Sequence, residues 1–242
     1  MVLGTLLPVR CPGCGATGEA PCPPCASRLR AAPPGPVPEG LDACWSLVAY
    51  EGVGRTLVTG LKYRRDRAAV AWLADRMAAL GPGRPATGPP TGAPTGAAAG
   101  VPIVTWAPTT GARRRQRGFD QAELLARAVA RRWGAPCRPL LARRAGPPQT
   151  GRSLADRRDG PILLARAGSR AAAGRVIVVV DDVLTTGSTL RAAARALQVV
   201  GPASVVGLTA ARTPRHPAAP PCVLPRPPKV EQFAQVPRVI GR

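Results

Sequence analysis

The sequence predicts an α/β fold in which a doubly wound parallel sheet occupies about residues 101–212. Residues 176–180 are five consecutive apolar residues, which indicates a parallel strand that is covered on both faces. A helical pattern begins at Ser188, and a second strand pattern covers residues 204–210, so the order is strand, helix, strand. This order is typical of a βαβ unit in a sheet that carries helices on both faces.

The other elements follow from hydrophobic periodicity. Strands are predicted at residues 45–50 and 101–107, and helices at residues 67–80 and 120–133. The residues expected to face inward are Val70, Leu73, Ala74, Met77 and Leu80 in the first helix, Leu124, Leu125, Ala128 and Val129 in the second, and Leu190, Ala194, Leu197 and Val200 in the helix that begins at Ser188.

Composition divides the chain into five segments. Residues 8–30 form a four-cysteine module, residues 41–80 a helical hood, and residues 101–212 the α/β domain. Residues 81–100 consist almost entirely of Gly, Pro, Thr and Ala, which predicts a linker. Residues 213–242 contain repeated prolines and predict a disordered tail.

The net charge of the chain narrows the classes of ligand that it is expected to bind. The 242 residues include 34 Lys and Arg against 13 Asp and Glu, a net charge of +21, and the excess is densest at residues 101–160. Such a charge favours a polyanionic ligand, either nucleic acid or a phosphorylated small molecule. No run approaches the roughly 18 apolar residues of a membrane span, and the first residues lack a signal-peptide pattern. We therefore expect no membrane insertion and a cytoplasmic location.

Four cysteines form two C-x-x-C pairs that are seven residues apart. Two such knuckles can place four thiolates around one tetrahedral Zn²⁺. The four thiolates leave no open coordination position, so the predicted role of the zinc is structural. The alternative is a group of ordinary buried or disulfide-bonded cysteines. The predicted ligands are Cys11, Cys14, Cys22 and Cys25.

Two adjacent carboxylates, Asp181 and Asp182, follow the apolar strand, at the end where open α/β sheets bind ligands. They are suited to face ribose hydroxyls or a hydrated Mg²⁺. The next loop leads into a helix N-terminus, and its hydroxyl and N–H groups suit a phosphate monoester. A P-loop ATPase would also need G-x-x-x-x-G-K-[ST], which the sequence lacks. The loop consists of Thr185, Thr186, Gly187, Ser188 and Thr189.

The segment RVIVVVDDVLTTGSTL, residues 175–190, resembles the phosphoribosyl pyrophosphate (PRPP) binding motif of type I phosphoribosyltransferases. The resemblance implies that Asp181 and Asp182 are the catalytic carboxylates and bind the ribose hydroxyls. It also implies that residues 185–189 hold the 5′-phosphate and that Mg²⁺ binds with PRPP. The fold it implies is a type I phosphoribosyltransferase-like doubly wound parallel sheet.

The order of the motifs along the chain is similar to that of the ComF family. The motifs are the four-cysteine knuckle, YEGVGRTLVTGLKYRRD, RRRQRGFDQAELLA, QTGRSLADRR and the PRPP motif ending in TAART. This resemblance covers about residues 8–213 and implies a small zinc-ribbon-like N-terminal module and a role in natural transformation and DNA uptake. The partners it implies are single-stranded DNA and competence proteins, among them a helicase and a DNA-processing protein. Residues 157–160 depart from the family, whose members usually carry an Asn there, and residues 81–100 resemble an insertion.

A site for PRPP needs cations near the diphosphate. Arg117 is the favoured candidate because RGFDQAE is the family-like part of its segment, and Arg157 is expected to close over PRPP from a flexible loop at residues 149–158. A solvated basic surface remains the alternative for the arginines that precede Arg117, and an exposed lysine for Lys62. The further candidates are Arg113, Arg114, Arg115, Arg152 and Lys62.

If the protein is an enzyme, the expected reaction is displacement of pyrophosphate at ribose C1′ by a nitrogen nucleophile. Positioning and charge neutralisation would dominate such a reaction. The only histidine, His216, lies in the predicted tail, so no histidine base is expected. The alternative is a non-catalytic DNA-binding or protein-binding accessory of the competence machinery. Aromatic residues make up 3% of the chain, which equips it poorly for binding single strands by base stacking.

Overall fold

The structure is a computed structural model that describes residues 8–62, 68–82, 100–144 and 160–214. No helix within these ranges is both long and apolar enough to cross a bilayer. The helices are α1 (Pro23–Ala26), α2 (Gly52–Gly60), α3 (Ala69–Leu80), α4 (Gly111–Arg117), α5 (Gln121–Trp133) and α6 (Ser188–Gln198). The strands are β1 (Ala43–Ala49), β2 (Ile103–Trp106), β3 (Leu141–Arg143), β4 (Leu163–Ala165), β5 (Val176–Leu184) and β6 (Ser204–Arg212).

The main sheet contains four parallel strands in the order β1-β6-β5-β2. Helices cover both of its faces. Alternate residues of β5 point to opposite faces of the sheet, and they pack in two different hydrophobic clusters. Val178 and Val180 pack in the cluster that contains α2, α3 and α5. Ile177 and Val179 pack in the cluster that contains α6. The predicted α/β fold with a doubly wound parallel sheet is confirmed.

The first strand of the sheet comes from a segment that the sequence assigned elsewhere. β1 lies within residues 41–80, predicted as a separate hood, yet it pairs with β6 in register from Ala43 opposite Val206 to Ala49 opposite Arg212. The sheet therefore begins before residue 101. Local periodicity predicts a strand correctly here, but it carries no information about which distant strand will be its partner.

One inward position of the predicted helix is wrong: Leu80, the last residue of α3, is 37% exposed. Val70 is half-buried and packs against the hydrophobic cluster that contains α3, as predicted. The N-cap Asp120 and the left-handed Gly134 (φ 61°) delimit α5, which supports the predicted boundaries of residues 120–133.

An extended segment connects the cysteine module to the sheet. The Ala49 N–H donates to the Arg30 carbonyl at 2.9 Å, and the Ala32 N–H donates to the Leu47 carbonyl at 3.2 Å, so this segment runs along the outer edge of β1. Pairing of this kind protects an edge strand from solvent. Farther on, the Pro36 carbonyl accepts from Arg212 Nη2 at 2.7 Å at the end of β6.

Candidate functional site

A cavity of about 330 Å³ opens at the carboxyl ends of β2 and β5, where a parallel sheet is expected to bind ligands. Residues from four separate parts of the chain line it. Its anionic residues are Asp120, Asp181 and Asp182, and its cationic residues are Lys62, Arg113, Arg117 and Arg143. Negative and positive side chains therefore line the same cavity, as the binding of a polyanion together with its metal ion requires.

The acidic pair lies inside β5, which continues to Leu184, and not after the strand as the apolar run suggested. The Asp182 N–H donates to Asp181 Oδ1 at 2.9 Å, and the Val183 N–H donates to Asp182 Oδ1 at 2.8 Å. Each bond engages one carboxylate oxygen and leaves the other for a ligand. Burial, followed by the charge of Asp182, raises the pKa of Asp181 well above its ordinary value.

The predicted phosphate loop follows the acidic pair. Thr185 and Thr189 line the cavity. The other three loop residues are not among the residues that line it in the described chain. The Thr186 hydroxyl donates to Ser188 Oγ at 3.2 Å. Gly187 precedes α6 in the left-handed conformation (φ 77°), which favours glycine. The structure thus brings two of the five predicted loop side chains to the cavity.

Helix α4 presents its arginines on different sides. Arg113 and Arg117 are four residues apart and both line the cavity. Arg114 instead forms a salt bridge with Glu123 at 3.4 Å, and Arg115 is exposed. Arg117 Nη1 also donates to Gln121 Oε1 at 3.1 Å. The prediction that Arg117 is the cation near the diphosphate is compatible with this geometry. Arg113 lines the same cavity and is a second candidate.

Asp120 was recognised in the sequence only as the start of a helix. It is 4% exposed, and its two oxygens hold two elements together. Oδ1 accepts from the Ala122 N–H at 3.0 Å and caps α5, while Oδ2 accepts from the Thr109 N–H at 2.7 Å. It thereby fixes the loop between β2 and α4, which forms part of the cavity wall. Burial raises the pKa of Asp120, against the effect of these hydrogen bonds.

Arg143 was missed altogether. It ends β3, a three-residue strand whose antiparallel partner β4 is equally short, so neither strand has a readable periodicity. Its Nη1 donates to the Pro108 carbonyl at 3.4 Å. Burial, followed by the nearby Arg113, lowers the pKa of Arg143. Two guanidinium groups that line one cavity and whose charges oppose each other favour the binding of an anion.

Lys62, which the sequence left open between a ligand contact and an exposed lysine, lines the cavity from the end of α2. Tyr50 lines it from the end of β1, and its hydroxyl is 3.4 Å from Thr59 Oγ1. The predicted contacts of Arg152 and Arg157, and the whole loop at residues 149–158, lie outside the described residues. His216 does so too.

The four predicted metal ligands come together at the N-terminus. The Sγ atoms of Cys11, Cys14, Cys22 and Cys25 all lie within 4.8 Å of one another. Although burial opposes ionisation, hydrogen bonds from the backbone N–H groups of Cys22, Cys14 and Gly13 lower the pKa of the Cys11 thiol to about 6. A compact set of four sulfur atoms with N–H donors fits a tetrahedral zinc ion.

Comparison with known families agrees with this arrangement. Residues 120–223, somewhat less than half of the chain, match the family model of the phosphoribosyl transferase domain. The matched part holds Asp120, Arg143, the acidic pair and the Thr-Gly loop. The chain thus contains a phosphoribosyltransferase-type domain, whose fold is the α/β sheet described above. A comparison with curated proteins gave no match.

The solved structures that resemble the chain include several phosphoribosyltransferases. One is an HPRT whose invariant aspartic acid is mutated to asparagine (16% identity, TM-score 0.31, 62% of this chain and 64% of that one). Another is the L. donovani hypoxanthine-guanine phosphoribosyl transferase (15% identity, TM-score 0.32, 64% of this chain and 71% of that one). A third is the Trypanosoma cruzi hypoxanthine phosphoribosyl transferase (18% identity, TM-score 0.30, 64% of this chain and 64% of that one). TM-scores this low support no inference, and the domain assignment depends on the family match and the topology.

Proposed function

We propose that the protein binds PRPP together with Mg²⁺ and transfers its phosphoribosyl group. The observation that carries the proposal is the single cavity that joins the acidic pair to four cationic side chains and to Thr185 and Thr189. Asp181 and Asp182 would hold the ribose hydroxyls and water molecules on Mg²⁺. The loop at residues 185–189 would bind the 5′-phosphate at the N-terminus of α6.

The diphosphate would lie toward α4 and β3. Arg113, Arg117 and Arg143 line the cavity and would supply the donors and charge that a departing pyrophosphate needs. No side chain has to act as a nucleophile, since a nitrogen atom of the acceptor attacks C1′ and the C1′–O bond breaks as pyrophosphate leaves. The acceptor keeps the new C–N bond and loses a proton to solvent or to the leaving group.

The biological setting we propose is that of a ComF-like protein of the cytoplasm, with a structural zinc module at residues 8–30 and a link to DNA uptake. The motif order supports this setting, and the four clustered cysteines are compatible with it. Arg157 would close over the diphosphate from the loop at residues 149–158. Arg115 and Arg114 are exposed and do not line the cavity, and they would offer contacts to the phosphates of single-stranded DNA.

Titration calorimetry of the full chain with PRPP tests this proposal. Saturable binding that requires Mg²⁺ is expected, because the metal neutralises the charge that the acidic pair would otherwise repel. Release of pyrophosphate in the presence of a panel of nitrogenous bases and amines then identifies the acceptor. Absence of PRPP binding at any Mg²⁺ concentration would contradict the proposal.

The two faces of α4 provide matched variants. Arg113→Gln/Arg117→Gln is expected to weaken PRPP binding by about 10- to 100-fold, as loss of charge-assisted hydrogen bonds requires. Arg114→Gln/Arg115→Gln removes the same charge from the outer face, so its PRPP affinity should stay close to that of the wild type. Fluorescence anisotropy with a labelled single-stranded oligonucleotide should show the opposite order. Equal losses of PRPP affinity in both variants would mean that the arginines act only through net charge.

A further inference from the structure

Gln121 is the first residue of α5, and it lines the cavity beside Arg117 although it is 96% buried, with 4% of its surface exposed. Its Oε1 accepts from Arg117 Nη1 at 3.1 Å. This bond fixes the orientation of the carboxamide, because a guanidinium group can only donate and must therefore face the oxygen. The Nε2 group consequently points away from Arg117.

This Nε2 group has no hydrogen-bond acceptor, and it is closed off from water. A buried amide that donates to nothing is destabilising, and such groups are rare in folded proteins. In the described part of the chain, Thr213 Oγ1 is the other buried side-chain atom of this kind, and Thr213 does not line the cavity. An unpaired donor at the wall of a polar cavity suggests that its acceptor arrives with a ligand.

We propose that Gln121 is a further ligand-binding residue whose Nε2 donates to an oxygen of the diphosphate. This inference depends on the proposed binding of PRPP. On that proposal the diphosphate lies beside Gln121, because Gln121 accepts from Arg117, which is assigned to the diphosphate. Because Nε2 is closed off in the free protein, this contact requires the wall beside Arg117 to open when the anion enters. A neutral donor next to Arg117 adds a directed contact without adding charge repulsion.

The variant Gln121→Met tests this role, since it keeps the length of the side chain and removes the unpaired donor. The free variant should melt at the wild-type temperature or above it, because no buried N–H is left unsatisfied. Its dissociation constant for Mg²⁺-PRPP should rise at least tenfold, and that for inorganic pyrophosphate by a similar factor. Ribose 5-phosphate, which lacks the diphosphate, should bind as it does to the wild type.

Two further variants separate the explanations. Gln121→Glu keeps an oxygen toward Arg117 but has no N–H, and it should lose pyrophosphate affinity at least as strongly as Gln121→Met. Thr213→Val removes the other unpaired group and should leave all three affinities unchanged. If Gln121→Met binds PRPP and pyrophosphate as tightly as the wild type, the role of Gln121 is refuted while the proposed function stands. If the wild type binds neither probe, the proposed function itself fails.

Discussion

Replacing Asp181 with asparagine is expected to stabilise the free protein and to weaken its binding of Mg²⁺ and PRPP. The carboxamide oxygen of the new side chain can still accept from the Asp182 N–H, so the local backbone contact is retained. The substitution removes a desolvated charge that faces a second carboxylate, and such changes at functional sites commonly add about 1 kcal/mol to the free energy of unfolding. A gain of this size corresponds to about 3 °C in the melting temperature of a protein this long.

The stability gain of Asp181→Asn should depend on pH. Since the pKa of Asp181 is raised in the folded state, the native protein binds more protons than the unfolded chain once the pH exceeds the ordinary carboxyl value. The wild type therefore loses stability from this group as the pH rises from about 4 through the raised pKa. Thermal melts at several pH values should show equal stability near pH 4 and a more stable variant at neutral pH. A variant that is less stable at neutral pH would contradict this assignment.

Removing the metal is expected to unfold the N-terminal module. Zinc binding and folding are coupled in small four-ligand modules, where the apparent binding free energy reaches about 10 kcal/mol or more. Protein purified without chelators should contain about one zinc ion per chain, since four cysteines bind one ion. Chelation should release it and raise the hydrogen-exchange rates of residues 8–30. The α/β domain should keep its protection, because its two hydrophobic clusters contain no residue of this module other than the partly buried Leu29.

A matched pair of cysteine variants makes the zinc prediction sharper. Cys11→Ser alters a buried member of the four-sulfur cluster and should lower the zinc content to well below one per chain. Cys137→Ser alters a half-buried cysteine outside the cluster and should leave the zinc content unchanged. Zinc analysis of both purified proteins decides the question. Full zinc occupancy in Cys11→Ser would refute the assignment of the ligands.

The sequence predicted best where one segment combines several signals. The apolar run, the acidic pair, the Thr-Gly loop and the amphipathic helix are contiguous at residues 176–198, and β5 and α6 form there. Strand, loop and helix in this order leave few alternatives. The cysteine cluster was predictable as well, because the spacing of the four cysteines restricts how their sulfur atoms can be arranged.

Features that depend on distant contacts were not predictable. The membership of β1 in the sheet depends on its pairing with β6, which lies about 160 residues later in the chain. Arg143 reaches the cavity only because β3 and β4 pair across a long intervening segment. The buried position of Gln121 follows from the packing of α5, whereas its polarity and its place in a helix suggest an exposed residue. The periodicity of apolar residues along one sequence contains no information about these distant contacts.

Binding of PRPP in this cavity through the acidic pair can be tested by calorimetric titration of two proteins. The wild type and Asp181→Asn/Asp182→Asn are each titrated with PRPP at saturating Mg²⁺. Saturable binding to the wild type and affinity lower by about 100-fold or more in the variant are expected, because two charge-assisted contacts are lost. Thermal melts confirm that the variant is folded. Equal PRPP affinity in the two proteins would contradict the account.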